Sequence, residues 1–187
     1  MVKIEVPRLR DDDKFRELIL YFSEKCAADP AFGATKLNKL LFYVDFLHFQ
    51  RYGKAITGHD YQKLEHGPAP RALKPILNSM EGTDVAVEDR VYHGKVQKRT
   101  IPLRKANTDV FSTDELSFID SVVKACWGMS AKQVSDKSHQ FIGWIAARIN
   151  ETIPYAIALI SFRSLTPEEL AHGRSLEDRA RELRACH

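Results

Sequence analysis

No stretch of this 187-residue sequence approaches the ~18 consecutive apolar residues that a membrane-spanning helix needs. The opening segment, MVKIEVPRLRDDD, lacks the uninterrupted apolar core of a signal peptide. Cysteines are few and odd in number. Cys26, Cys126 and Cys186 include no CxxC pair, which argues for reduced thiols over a disulfide framework. These absences predict a soluble protein of the cytoplasm. Charge of one sign is missing too, since 28 basic residues face 25 acidic ones for a formal net charge of +3. A balance that small does not by itself mark a nucleic-acid binder. There is no Walker loop, no GxGxxG and no HExxH, and no fixed-period repeat, low-complexity block or long flexible linker.

What is present suffices for one core. Hydrophobic residues at 44% and charged residues at 28% exclude wholesale disorder, and a chain of this length buries a core without staples. The acidic run Asp11-Asp12-Asp13 suits a helix start, and Phe15, Leu18, Ile19, Phe22 and Cys26 follow as one apolar stripe, ended by Asp29-Pro30. A second helix, capped at Thr35 and stopped at Gly53, is apolar around most of its circumference and is expected to be central. Turn chemistry follows at Thr57-Gly58 and His66-Gly67-Pro68, and Pro70 opens a short or kinked helix over residues 71–80, strained by Pro75.

The period then changes. Val85, Val87, Val91, Val96, Ile101 and Leu103 alternate with polar residues on either side of His93-Gly94-Lys95, a hairpin within a sheet of two or three strands. Helices resume with capping boxes at Ser112/Glu115 and Ser130/Gln133. Ser138-His139 is expected to introduce a further helix carrying Phe141, Trp144, Ile145 and Ile149 inward, and YAIALI after Pro154 another helical segment. The predicted fold is mainly α with a small antiparallel β element (α+β), a compact helical domain with a β-hairpin insertion. The domain is expected over residues 1–165, with a charged carboxyl-terminal helix over 166–187 as its appendage.

Chemistry-bearing residues are sparse. His48, His59, Asp60, Glu65 and His66 lie near one another at intervals that match no common ligand pattern, so no metal and no cofactor is assigned. Ser138 beside His139, and Cys126 with a distant histidine, have the residue types of nucleophilic catalysis. Neither lies in a nucleophile elbow, and no catalytic residue is assigned. The least balanced charge is in residues 90–105, where Arg90, Lys95, Lys98, Arg99, Arg104 and Lys105 occur with no acid among them. On a hairpin they form either a positive ribbon for phosphate or an acidic protein surface, or lysine protection of an edge strand. A nucleic-acid-binding regulator is therefore the alternative function.

The stretch TKLNKLLFYVDFLHFQRYGKAITGHDYQKLEHGPAP resembles the signature of the Panacea domain, the family of SocA-type antitoxins. The matching positions are Lys36 to Tyr43, then Tyr52-Gly53-Lys54, then His66-Gly67-Pro68. MSAKQVSDKSHQFIGW resembles the family's second signature, with Ser138, His139 and Trp144 in the serine, histidine and tryptophan places. The resemblance spans roughly residues 13–160. Two departures, Val44-Asp45-Phe46-Leu47 ahead of His48 and Leu64 in place of a tryptophan, read as adjustments of packing.

The resemblance implies a mostly helical bacterial protein with no enzymatic chemistry, an antitoxin that neutralises a cognate toxin by direct binding. One mode delivers the toxin to a cellular protease as an adaptor. The domain is paired with many unrelated toxins and occurs in phage-related genes, so the toxin's identity does not follow. Partner contacts are expected from Lys36, Lys39, Tyr43, His48, His66, Arg71 and His139. Lys36 and Lys39 lie three apart and are expected to bring a polar edge of the central helix to a surface groove. His66 and His139 read equally as structural residues capping neighbouring backbone, and Trp144 as core.

Overall fold

An acidic cap and an apolar stripe produce α1, Asp12–Lys25, in the computed structural model, which describes residues 10–160. The Asp11 carboxylate accepts the Lys14 N–H at 2.8 Å, and the stripe Phe15, Leu18, Ile19 and Phe22 is fully buried. Helix α2, Ala34–Tyr52, follows; its cap is Gly33 and not Thr35, and Gly53 ends it at a left-handed φ of 71°. With apolar residues around most of its circumference it is packed on several sides, and Leu37, Leu40, Leu41, Phe42, Val44 and Phe46 are at most 1% exposed.

A first sheet stands where the sequence shows turn chemistry alone. Strands β1, Tyr61–Leu64, and β2, Gly67–Pro70, form a hairpin around Glu65-His66, and β5, Thr152–Ile153, joins the far side of β1. Its two prolines lie on β2, an edge strand, where a missing N–H costs no ladder bond. Pro70 thus closes a strand, and α3 begins two residues beyond the expected start, at Leu73–Met80. Pro75 falls in its first turn, where N–H groups have no helical partner anyway, so it is accommodated.

The expected hairpin is the second sheet, β3 Val85–Tyr92 against β4 Lys95–Pro102. His93 at φ 50° and Gly94 at φ 72° supply the two positive dihedrals of a tight primed turn. Both capping boxes are formed, opening α4, Thr113–Cys126, and α5, Ala131–His139. Ser138-His139 closes α5 and does not open a helix. The next helix, α6 Ile142–Ala146, is too short to bury a full stripe, and Ile145 and Ile149 are more than half exposed. Pro154 leads into a 3₁₀ turn over Tyr155–Leu159. The described residues thus hold six α-helices and two small antiparallel sheets, mainly α with a minor β part. The helix expected over 166–187 lies outside the described residues.

An aromatic cluster joins α2 to the later elements. Phe46 stacks on Tyr155 at 4.5 Å between ring centroids and meets Phe141 edge-on at 5.3 Å. His59 packs against Phe15 at 4.1 Å and is 1% exposed. Its Nε2 lies 3.2 Å from the exposed Asp12 carboxylate, without the alignment of a hydrogen bond. Burial, reinforced by the positive Arg10, lowers its pKa from 6.5 to about 4. The unfolded chain therefore takes up a proton that the native state refuses, and stability is full above pH 6.5 and falls as the pH drops toward 4. The expected loss is on the order of 2 kcal/mol. Urea midpoints measured across this range fall steeply for the parent chain and flatten in His59→Gln.

Candidate functional site

The two signatures meet at Gly67. Lys39, on α2, is 2% exposed, and its Nζ donates to the Pro68 carbonyl of β2 at 2.9 Å. Burial lowers its pKa to about 8. Ser138, fully buried on α5, donates to the Ser135 carbonyl at 2.7 Å. A Cβ on Gly67 would stand 2.4 Å from Ser138 Oγ and 2.7 Å from Lys39 Cε, at a φ of +100° that side chains rarely adopt. Lysine, glycine-proline and serine thus hold α2, β2 and α5 in close approach. Gly67→Ala is expected to cost about 2 kcal/mol, read as a lowered urea midpoint at constant slope.

Lys36 does the corresponding work one turn earlier. Its Nζ is 2.5 Å from Asp29 Oδ2 and donates to the Met129 carbonyl at 2.9 Å. Asp29, fully buried, also accepts the N–H groups of Ala31 at 3.0 Å and Gly128 at 3.3 Å. The expectation that Lys36 and Lys39 carry charge to an exposed edge is therefore corrected. Both lysines lie on faces of α2 that are packed over, and their acceptors come from the turn before α2, the link from α4 to α5, and β2.

Asp45, one of the departures from the family signature, is the third polar anchor of α2 and is 0% exposed. Its carboxyl accepts the Thr57 N–H at 2.7 Å, Thr57 Oγ1 at 2.5 Å, the Tyr61 hydroxyl at 2.9 Å and the Tyr155 hydroxyl at 3.2 Å. Burial pushes its pKa up, against the pull of these donors. A lone aspartate among phenylalanines was the signal available in the sequence.

The other expected partner residues scatter. The half-buried Tyr43 hydroxyl donates to the Val134 carbonyl at 2.8 Å. His48 is buried toward the far end of α2, its Nδ1 on the Lys54 carbonyl at 2.5 Å and its ring against Tyr52 and Phe118. Arg71 ties the end of β2 to Thr152 and Asn150. His139 stacks on Trp144 at 4.0 Å and 14°, and its buried Nε2 has no hydrogen-bond partner. Trp144, expected in the core, is half-buried and donates to the Leu64 carbonyl at 3.1 Å.

Three of the expected residues do come together. An open groove of about 1010 Å³ lies between the start of α2, one face of α5 and the β3–β4 tip, and Lys36, His66 and His139 line it. His66 is exposed there, in the β1–β2 turn. The hairpin is held beside α2 by Arg99, expected on a positive ribbon but 4% exposed. Its guanidinium donates to the carbonyls of Cys26 and Asp29, both at 2.9 Å, and of Ala27, capping the end of α1. Arg104 pairs with Glu17 and Asp84 at 2.7 Å, Arg90 with Glu88 at 3.1 Å and Lys98 with Asp89 at 3.2 Å. Of the six, Lys95 and Lys105 remain exposed with no ion pair among the described residues.

Among the described residues no helix is long and apolar enough to cross a membrane, and no group of three or more His, Cys, Asp or Glu is placed to hold a metal ion. No curated protein and no solved structure matches the chain. A family model, the antitoxin SocA-like Panacea domain, matches residues 37–145, from the first turn of α2 into α6. That interval contains the Lys39–Gly67–Ser138 junction, the contacts of Asp45 with Thr57 and Tyr61, and both walls contributed by the hairpin and α5. With more than half of its length so matched, the chain belongs to the SocA-like antitoxin family, as a Panacea domain.

Proposed function

We propose that this protein is a cytoplasmic antitoxin of a bacterial or phage-related gene pair, which neutralises its cognate toxin by direct binding and without turnover. Membership of the antitoxin family carries the reading. The polar geometry supports it: Lys39, Ser138 and Asp45 are spent on contacts between elements, and the groove flanked by α2 and α5 leaves a concave surface for another protein. The hairpin supports a nucleic-acid partner less well, because four of its six cations are held internally or paired.

The test is co-purification of the chain with the product of the gene adjacent to its own. A stoichiometric complex that survives size exclusion is the expected result, and two separately eluting proteins would oppose the reading. The toxin's half-life in cells then separates sequestration from delivery to a protease. It is unchanged or lengthened in the first case and shortened in the second.

A further inference from the structure

We infer that the groove receives an acidic segment of the partner protein, with carboxylates seated between the start of α2 and the hairpin tip. This rests on the antitoxin reading and adds where and by what chemistry the partner is held. The groove's lining is one-sided in charge: four lysines and three histidines face one carboxylate, Asp136. Lys36 is neutralised by Asp29, but Lys95 is exposed without an ion pair among the described residues. Lys98 and Lys132 hold Asp89 and Asp136 only through solvent-exposed pairs, with lysine side chains 67% and 83% exposed, which a better-placed carboxylate displaces at little cost.

Two further features point the same way. Helix α2 has 19 residues, and Gly33 ahead of it provides no side-chain cap. Gly33, Ala34 and Thr35 line the groove, which places the helix's positive end at its wall. On the opposite wall the ring of His139 carries a buried Nε2 with no partner. The groove's apolar lining includes Ala34, Val96 and Ala131, with Val96 70% exposed, a surface for the side chains of a protein segment.

The experiment measures affinity for the purified product of the adjacent gene with the parent chain, with Lys95→Glu/Lys132→Glu, and with Lys124→Glu on α4 as an off-groove control. Reversal of both groove cations is expected to weaken binding roughly tenfold or more, while the control stays unchanged. Lys132 lies in the first turn of α5, where an acid is favourable, so this fold tolerates the change. Lys95→Gln/Lys132→Gln, with a smaller loss, covers a failure of the reversal variant to fold. Parent-like affinity in a folded groove variant overturns the groove assignment and leaves the antitoxin reading intact. A parent chain that binds nothing overturns the antitoxin reading, and this inference falls with it.

Discussion

Replacing Lys36 by methionine is expected to destabilise the fold by about 3–5 kcal/mol, because it leaves Asp29 buried and charged without its cation. Asp29 keeps only the N–H groups of Ala31 and Gly128, neither of which supplies a full charge. The Met129 carbonyl loses its donor as well. Three segments depend on this pair: the turn after α1, the first turn of α2, and the link from α4 to α5. Lys36→Met/Asp29→Asn removes the stranded charge and is expected to recover much of the loss. Urea unfolding followed by far-ultraviolet circular dichroism reads both. A single variant within 1 kcal/mol of the parent, on the order of a surface pair, would show that the two charges are not jointly buried.

Asp45→Ala is expected to cost about 3–4 kcal/mol. The Thr57 N–H and hydroxyl lose their acceptor, and each stranded buried donor costs about 1–3 kcal/mol. Tyr61 and Tyr155 fare better, since the Leu41 and His59 carbonyls accept from the same hydroxyls. The cavity adds to the loss, at the point where α2, β1 and the 3₁₀ turn over Tyr155–Leu159 meet. Asp45→Asn keeps the shape, and its amide donates to tyrosine hydroxyls that turn to accept, so it retains part of the stability. Thermal unfolding separates the three proteins. An order other than parent, then asparagine, then alanine would contradict the network.

Local chemistry made much of this fold legible. Ser112/Glu115 and Ser130/Gln133 are capping boxes in sequence and in space, and His93-Gly94 is a hairpin turn in both. The sheet of β1, β2 and β5 was not legible. GPAP shows no alternation and two prolines, and Thr152–Ile153 joins it across some ninety residues, a pairing set by tertiary contact. The lysines of α2 were misplaced for a related reason. Lysine is ordinarily a surface residue, and only the acceptors at Asp29 and Pro68, seven and 29 residues away, make its burial possible. Of the expected partner residues, His66 and His139 meet at the groove because Gly67 brings β2 against α5. The contributions of the α2 start and the hairpin tip carried no signal in a linear reading, since they converge only when Arg99 fastens the hairpin to the end of α1.

Neutralisation of a partner by this domain is read out by growth. The product of the adjacent gene is induced alone, and then beside this chain at matched expression. Arrest in the first culture and normal growth in the second is the predicted result. Equal growth in both cultures, or arrest that this chain does not relieve, would contradict the account.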